Sequence, residues 1–513
     1  MGAPRSGLIQ QWGTWHLSVA PIRGTYPWLI NLFGRKELRM WLPLIYRRAL
    51  VVSALAIVSS AASGGTAPTL FEFVSGPADP TGGRIEIVAA ERIVVDVSAI
   101  EKDPPSIRMP LLDGASPQAT RTEFERRGAE NITWRGRFDT PGGGRVTLTV
   151  LHGVVVGFIQ HADRTYIIEP VRGGGHAQKE INQDLYPECG GVELPGEPAF
   201  HLEDLDPEIA DDSGARIDVM VMYTPEARDA AGGVAAIEVT AQAAVDIANT
   251  AFEDSNVVTR FNLVHAAVTS HHDTGNLSTD LNWLRAEAAV DSLRNAYGAD
   301  LVSLMVEDGG GFCGLGYVMQ SPGAWFADWA FQVTDRGCAV GNLSWAHEHG
   351  HNMGMEHDPA NGATSASASY PWSFGHFVDG SYRTVMSYSN QCLYGCTRVS
   401  HFSNPDVLHA GAATGIAGQR DNHRTADLTA PIVANFRAQT CSIDLHYALQ
   451  DHTITTAETH EACRSITAGP NVTVTSTGNL TLRTGESVTL DDGFSVESGG
   501  RFTAEIDPGV GSP

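Results

Sequence analysis

Residues 347–357, HEHGHNMGMEH, contain a pattern of side chains that is typical of a metal centre. His347 and His351 are four residues apart, so on a helix both imidazoles leave the same face and can bind one Zn²⁺. Gly354 can adopt a positive φ and end that helix, which lets the chain turn and bring in His357 as a third nitrogen ligand. The sequence therefore predicts one zinc ion held by three histidines, with its fourth position open to water.

Glu348 lies beside the first of these histidines and is the residue that such a site needs for acid–base chemistry. A carboxylate next to the metal can take a proton from zinc-bound water and pass it to the leaving amine of a peptide bond. His349 lies within the motif but leaves the helix on another face, so it is not predicted to be a ligand. The combination predicts a hydrolytic zinc site.

The extended pattern H-E-x-x-H-x-x-G-x-x-H resembles the signature of the metzincin metallopeptidases, and a second segment agrees with it. Residues 384–389, TVMSYS, follow the third histidine at the place where these enzymes have their Met-turn. The resemblance makes Met386 the methionine that packs beneath the metal without binding it. It leaves two interpretations of Tyr388: a residue that approaches the metal or steadies the oxyanion, or a packed aromatic.

Asp358 directly follows the third histidine, as in adamalysin and reprolysin proteases, where this aspartate holds the turn by hydrogen bonding. Together with IDVMVMYTPEAR at 217–228, CGLGYV at 313–318 and CTRVSHFSNPDV at 396–407, it makes residues 215–440 similar to the bacterial secreted reprolysin-like group. That group includes the peptidyl-Asp metalloendopeptidases. The resemblance implies a secreted zinc endopeptidase, but no residue is predicted to form a pocket for aspartate.

The elements around the motif predict a mixed helix-and-strand domain at residues 214–440. Apolar runs and helical periodicity predict strands at 217–223, 260–268 and 299–306 and helices at 234–252, 281–296 and 426–437. The resemblance implies a metzincin catalytic domain of the α+β or α/β class, in which a twisted mixed sheet accompanies the active-site helix.

A β-rich region precedes this domain and a small all-β module follows it. Strand composition is found in the runs 84–97, 145–160 and 165–170. The acidic segment 201–213, HLEDLDPEIADDS, is typical of an accessible linker. Residues 64–213 are therefore predicted to be a pro-domain with its linker. Residues 441–513, where short strands recur between glycines, are predicted to form a stacked β roll.

Residues 1–63 are predicted to be a signal region. Two arginines precede the apolar run 49–62, which is too short to span a bilayer, and small residues follow it. The alternative is a buried core helix. Secretion without a membrane anchor is expected, because no comparable apolar run follows. Met40 is a better start for a signal peptide, so residues 1–39 are predicted to be a mis-assigned extension.

Seven cysteines leave one without a partner after three pairs are formed. Neighbouring positions suggest the disulfides Cys313–Cys338, Cys392–Cys396 and Cys441–Cys463. Other pairings stay open, because connectivity cannot be deduced from sequence alone. Cys189 stands alone before the acidic linker. A thiolate is an excellent zinc ligand, so Cys189 can occupy the open coordination site until the linker is cut, as in the cysteine switch of other metzincins. The alternative is a buried or incidental cysteine. Asp211 and Asp212 would suit self-cleavage.

The charge balance narrows the choice of partners. The chain has 34 Lys and Arg residues against 59 acidic ones, a formal charge of -25, and such a field repels nucleic acids and anionic membranes. We expect protein or peptide substrates and a monomer. Asp and Asn residues near 300–310 and 403–406 are candidate Ca²⁺ ligands, but no spaced loop motif supports a Ca²⁺ site.

Two other functions fit parts of the sequence. An adhesion or carbohydrate-binding protein could use the metzincin-like domain as a scaffold and the β module as its binding surface, but a scaffold has no need of Glu348. A zinc hydrolase with a non-peptide substrate is disfavoured by the metzincin turn elements. The favoured interpretation is a secreted zinc endopeptidase that is made as a latent proprotein.

Overall fold

The structure is a computed structural model, and the part of the chain that it describes begins after the predicted signal region. The described residues are 67–75, 83–127, 130–139, 143–190, 214–438, 446–463, 465–485, 487–491, 493–507 and 510. The apolar run 49–62, the start at Met40 and the acidic linker 201–213 lie outside them. Residues Ala67–Pro513 belong to one compact unit.

The first region is a nine-stranded antiparallel sheet with the spatial order β1-β2-β9-β8-β7-β6-β5-β4-β3. The strands are β1 Phe71–Phe73, β2 Ile87–Val95, β3 Ser106–Arg108, β4 Gln118–Arg126, β5 Asn131–Phe138, β6 Gly144–Leu151, β7 Val154–His161, β8 Arg164–Pro170 and β9 His176–Ile181, and a short helix α1, Val97–Glu101, follows β2. The run 145–160 is a hairpin rather than one strand, because His152 and Gly153 both have positive φ and form its turn.

The second region contains the mixed sheet that the resemblance implied. Its five strands have the spatial order β11-β10-β12-β14-β13, and only the edge strand β13 is antiparallel to its neighbour. The strands are β10 Arg216–Tyr223, β11 Arg260–Val268, β12 Leu301–Val306, β13 Gly314–Gly316 and β14 Phe331–Asp335. Strand β10 is buried along its whole length, which explains its continuous apolar sequence.

Seven helices are described in this second region. They are α2 Pro225–Ala231, α3 Val234–Asp254, α4 Leu277–Ala286, α5 Ala288–Tyr297, α6 Arg336–Ala339, α7 Ser344–Asn352 and α8 Asn422–Val433. The single helix predicted at 281–296 is wrong: Glu287 has an extended conformation, ends α4 and caps α5 by accepting a hydrogen bond from Ala289 N. Helix α8 starts earlier than predicted because Asp421 caps it.

Helix α3 lies between the two sheets, in contact with β6 and β7 on one side and β11 on the other. It is therefore buried nearly all round, unlike a surface helix. Its apolar residues join a core that also includes Val156 and Phe158 of β7. Among the described residues no single helix is long and apolar enough to cross a membrane. Helices α2 and α3 meet that test only as a pair, on length and composition, and are bent by 96°.

Short strands complete the structure. Near the site they are β15 Phe377–Val378, β16 Tyr382–Arg383, β17 Thr397–Arg398, β18 Leu408–His409 and β19 Ala412–Ala413. The last region contains β20 His446–Leu449, β21 His452–Ile454, β22 Ala457–Ala462, β23 Ser465–Ala468, β24 Val472–Val474, β25 Asn479–Thr484, β26 Ser487–Leu490, β27 Phe494–Val496 and β28 Arg501–Ile506. These nine form three parallel three-stranded sheets, stacked around an apolar interior.

Candidate active site

Helix α7 carries the first two predicted ligands. Every residue of this helix is buried, and His347 and His351 project from one of its faces. The helix ends before Gly354, whose φ of 82° turns the chain so that His357 returns to the same place. The Nε2 atom of His357 lies 2.9 Å from that of His351 and 3.1 Å from that of His347. The three imidazoles therefore meet as predicted from their spacing.

The outer nitrogen of each imidazole faces a backbone carbonyl. The Nδ1 atoms of His347, His351 and His357 are 2.8, 2.8 and 3.2 Å from the carbonyl oxygens of Val385, Met355 and Asn361. Each Nδ1–H donates, so each Nε2 lone pair points inward.

Burial, followed by the neighbouring imidazoles, lowers the pKa of His347 and His351 well below 6.5. Burial also lowers the pKa of His357 to about 4. Three neutral nitrogen acceptors converging at this distance fit a divalent cation, which would offset the mutual repulsion of their lone pairs.

Glu348 is completely buried beside these imidazoles. Its Oε2 atom accepts a hydrogen bond from Cys189 Sγ at 3.2 Å, and its Oε1 atom has no hydrogen-bond partner in the described part of the chain. Burial raises the pKa of Glu348 to about 8, although the bond from Cys189 opposes this shift. Gly314 on β13 leaves room for the carboxylate, because a Cβ there would lie 2.6 Å from Glu348 Cγ. Gly314 belongs to the segment CGLGYV, but the sequence alone did not predict this role.

Met386 packs against helix α7, and Asp358 holds the turn that follows His357. Met386 is fully buried under α7, and a Cβ on Gly350 would lie 2.7 Å from its sulfur. Asp358 Oδ2 accepts a hydrogen bond from Tyr388 N at 3.1 Å, and its Oδ1 accepts one from Ala360 N at 3.1 Å. These bonds join the turn after His357 to the segment that follows Met386.

Tyr388 lies at the mouth of the site. Its ring centroid is 4.3 Å from that of His357, and its hydroxyl donates a hydrogen bond to the backbone carbonyl of Cys189. The hydroxyl thus faces the position occupied by a peptide carbonyl. His349, which was not predicted to be a ligand, lies elsewhere: its Nδ1 is 3.1 Å from Asn352 Oδ1 and its ring packs on Trp345.

Cys189 comes from the first region and reaches the three histidines. Its Sγ is 3.5 Å from His351 Nε2, and the sulfur and the three imidazoles offer ligand atoms that all lie within 4.8 Å of one another. The backbone on either side lies along β13, with Gly190 N donating to Gly314 O at 3.0 Å and Cys313 N donating to Glu188 O at 3.2 Å. Residues 188–190 therefore fill the cleft.

Two of the predicted disulfides are formed, Cys313–Cys338 and Cys392–Cys396. Cys463 is also disulfide-bonded, while Cys441, its predicted partner, lies outside the described residues. Besides the Cys189 cluster, the described residues contain one other group with metal-binding spacing, His452, Glu458 and His460. The candidate Ca²⁺ ligands near 300–310 and 403–406 are not part of either group, so Ca²⁺ binding remains a prediction.

Three residues near the cleft were missed by sequence reasoning. Ser389 donates a hydrogen bond to Glu188, and Arg398 lies 3.5 Å from the same carboxylate. Arg383 and Arg398 are both buried. Arg398 falls within the quoted segment CTRVSHFSNPDV, but nothing in its spacing marks it as a functional residue.

Comparison with known proteins identifies related sequences. A sequence profile described as metallo-peptidase family M12 matches residues 213–403. The peptidyl-Asp metalloendopeptidase of Xanthomonas campestris pv. campestris is 30% identical over 408 residues, which cover 74% of this chain and 92% of that protein. The chain therefore belongs to the bacterial reprolysin-like metallopeptidases of family M12 and is a metalloendopeptidase. The prediction of an enzyme is thereby confirmed over that of a non-catalytic scaffold.

A second relative is similar over the same length of chain. The peptidyl-Asp metalloendopeptidase of Stenotrophomonas maltophilia (strain R551-3) is 28% identical over 409 residues, covering 74% of this chain and 92% of that protein. A solved structure, metalloproteinase-II from Bacteroides fragilis, is 11% identical, covers 52% of this chain and 85% of that chain, and has a TM-score of 0.33.

Proposed function

We propose that the chain is the precursor of a secreted, monomeric zinc endopeptidase that the Cys189 segment keeps latent. The observation that carries this proposal is the convergence of four potential ligand atoms, from Cys189, His347, His351 and His357, beside the buried carboxylate of Glu348. Three imidazoles and one thiolate form a donor set that suits Zn²⁺ and leaves no position open to water.

The histidines would hold the zinc ion through their Nε2 atoms, each oriented by a carbonyl. A bound Zn²⁺ supplies Lewis acidity, which polarises a peptide carbonyl and lowers the pKa of a nearby water molecule. Glu348 takes the proton of the attacking water on its carboxylate and returns it to the amine of the leaving peptide. The Tyr388 hydroxyl, which now donates to the Cys189 carbonyl, would donate to the substrate carbonyl in the same place.

Latency follows from two contacts of the same segment. The sulfur of Cys189 fills the space between Glu348 and His351, where water has to be activated. Residues 188–190 also bond Gly314 O, on the edge strand β13, and Cys313 N, directly before it, which an extended substrate backbone would otherwise pair with. Cleavage in the acidic linker 201–213 is the proposed first step of activation, and self-cleavage would use Asp211 or Asp212.

The substrate preference is proposed from the relatives, which are named for cleavage at aspartate. We propose that this enzyme also cleaves peptide bonds next to acidic residues. N-terminal sequencing of the mature protein tests both proposals, because self-processing predicts that the new terminus lies at Asp211 or Asp212.

Casein hydrolysis by the processed enzyme tests the catalytic assignment. A chelator should abolish activity and added Zn²⁺ should restore it, while Glu348→Ala should lower kcat by about 10²–10⁴-fold. Glu238→Ala is the matched control, because Glu238 contacts only the Tyr223 hydroxyl at 3.3 Å among the bonds found for its side chain in the described residues. Undiminished activity of the Glu348 variant would contradict the mechanism.

Cobalt substitution tests the role of Cys189 without an activity assay. The Co²⁺-loaded precursor should show a sulfur-to-cobalt charge-transfer absorption that is missing in Cys189→Ser. The unprocessed Cys189→Ser protein should show some activity, but much less than the mature enzyme, because the backbone of residues 188–190 still pairs with Gly314 and Cys313. A precursor spectrum that does not change on this substitution would exclude Cys189 as a ligand.

A further inference from the structure

Two arginines lie completely buried next to the cleft. Arg383 on β16 and Arg398 on β17 are register partners, and their side chains are only 1% and 2% exposed. A buried guanidinium is costly unless an anion lies near it. Burial, together with the nearby charge of Arg398, lowers the pKa of Arg383 to about 9. The pair therefore forms a concentrated positive charge in a chain whose net charge is -25.

The ion pairs of both arginines lead to the segment that precedes the linker. Arg398 Nη2 is 3.5 Å from the carboxylate of Glu188, and Arg383 Nη2 is 3.9 Å from that of Asp184. No other ion pair is found for these two arginines in the part of the chain that the structure describes. If residues 182–190 leave on maturation, both counter-ions leave with them.

Glu188 occupies a small carboxylate-binding pocket. Its Oε1 atom accepts hydrogen bonds from the backbone N–H of Ser389 at 2.8 Å and from the Ser389 hydroxyl at 2.6 Å. Its Oε2 atom faces Arg398. The Nε atom of Arg398 is buried and has no hydrogen-bond partner among the described residues. An amide, a hydroxyl and a guanidinium thus surround one carboxylate, which is a specific arrangement for an acidic side chain.

The position of this pocket connects it to the reaction. Glu188 directly precedes Cys189, whose sulfur lies at the three histidines, and Ser389 directly follows Tyr388, whose hydroxyl contacts the Cys189 carbonyl. The pocket is therefore one residue away from the reacting position along a bound peptide. A substrate side chain next to the scissile bond would reach it.

We propose that Ser389 and Arg398, with Arg383 behind them, form the subsite that selects an acidic side chain next to the scissile bond, and that Glu188 fills this subsite in the precursor. This inference rests on the proposed function and identifies the residues responsible for the preference. A purely structural role is the competing explanation, because both arginines also donate to the carbonyl of Ser387, at 3.3 and 3.2 Å.

Peptide substrates that differ only at one residue next to the scissile bond separate the two explanations. The mature enzyme should prefer Asp to Asn by roughly 10- to 100-fold in kcat/KM, as expected for a hydrogen-bonded charge pair. Arg398→Gln should bring this ratio close to one, mainly by raising KM for the Asp peptide. Ser389→Ala should reduce the ratio by a few-fold, and Arg398→Lys should retain part of it.

Arg437 provides a control that lies outside the proposed subsite. Arg437→Gln removes an arginine that bonds Asn295 at 2.7 Å outside the site, and should keep the full ratio. If Arg398 is only structural, its loss should slow cleavage of all peptides equally and leave the ratio unchanged, which would overturn the subsite. Equal cleavage of the Asp and Asn peptides by wild type would also overturn it while leaving the proposed function intact. Wild type that cleaves no peptide would contradict the function itself.

A second experiment avoids any change to the enzyme. Two synthetic peptides with the sequence of residues 183–190, one with Glu188→Gln, are compared as inhibitors of the wild-type mature enzyme. Both retain Cys189, so the sulfur contributes equally. We expect the Glu188 peptide to have a roughly tenfold lower Ki, since only it can form the charged contact. Equal Ki values would overturn the assignment of Glu188 to the subsite.

Discussion

At the scale of single residues, the site depends on small side chains as much as on its ligands. Glu348 has an unpartnered buried oxygen among the described residues because the neighbouring strand β13 brings no side chain of its own at Gly314. Gly350 similarly admits the sulfur of Met386 beneath α7. These glycines are needed for close approach, and the geometry around the carboxylate is sensitive to a single methyl group.

We therefore predict that Gly314→Ala lowers kcat by about 10²-fold or more, because the new Cβ displaces the carboxylate of Glu348 from the proton-transfer position. The zinc content should stay at one ion per chain, since the histidines are not touched. Elemental analysis and steady-state kinetics of the same preparation check this. Normal kcat, or loss of zinc along with activity, would contradict the explanation.

The residues that sequence reasoning found and missed differ in how they are brought together. His347, His351 and Glu348 share one helix, whose geometry fixes their relative positions, and Gly354 leaves few ways for His357 to return. Arg383 and Arg398 meet through two-residue strands that no periodicity reveals. Likewise, the solitary position of Cys189 suggested a ligand, but its contact with Glu348 depends on how a separate region packs.

At the scale of elements, helix α3 joins the first region to the catalytic sheet through buried charges. Asp246, fully buried on this helix, accepts hydrogen bonds from Thr133 and Thr149 of the first sheet at 2.5 and 2.6 Å, and it pairs with Arg127 at 3.1 Å. Polar residues recur every four positions on this face of α3, at Gln242, Asp246, Thr250 and Asp254, so the side of the helix that faces the first sheet is buried through polar contacts.

Asp246→Ala should destabilise the precursor by about 3–5 kcal/mol, because it removes one of the two carboxylates that pair with the buried Arg127 and the acceptor that Thr133 and Thr149 share. The mature enzyme without residues 67–190 should lose much less, since Arg127, Thr133 and Thr149 belong to the removed part. Urea unfolding of both forms, made inactive by Glu348→Ala, measures the difference. An equal loss in the two forms would show that Asp246 acts within the catalytic region alone.

The start of helix α8 predicts a pH dependence of stability. Burial alone would lower the pKa of His423, but its interactions with Asp421 and Asp427 outweigh burial and raise the pKa to about 9. A raised pKa in the folded state stabilises the protein at a pH below the unfolded value of about 6.5 and loses this effect as the pH rises through 9.

We accordingly expect His423→Gln, in the inactive Glu348→Ala background, to be less stable than its parent at pH 6. At pH 10 the difference should shrink, because His423 is then neutral in both the folded and the unfolded states. Urea midpoints at the two pH values give this comparison. A difference that grows towards pH 10 would be incompatible with a protonated His423.

At the scale of the whole molecule, the first region is bound by more than its cysteine segment. Arg145 pairs with Asp254, Arg127 with Asp246, and apolar residues of β7 belong to the same core as the catalytic sheet. A cut in the acidic linker leaves all of these contacts intact. If the first region is the pro-domain that we propose, activation then requires that this region dissociates or is degraded after the cut.

Limited proteolysis in residues 201–213 should therefore produce a nicked protein that still elutes as one particle in size-exclusion chromatography and has little activity. Activity should appear only after the first region has dissociated, for instance in dilute urea followed by its removal. A precursor with an uncleavable linker is the control. Full activity immediately after the cut would contradict the expectation that the contacts outside the linker maintain inhibition.

The ion pair between Glu188 and Arg398 joins a residue of the proposed pro-region to a residue of the proposed mature enzyme. If both residues belong to one recognition site, a substitution of either residue alone would disrupt the contact between them. A lineage that replaced Arg398 by an acidic residue would place two carboxylates face to face in every newly made precursor. In homologous sequences, substitutions at positions 188 and 398 should therefore be correlated. The residue at position 188 would then indicate which side chain the mature enzyme prefers next to the scissile bond.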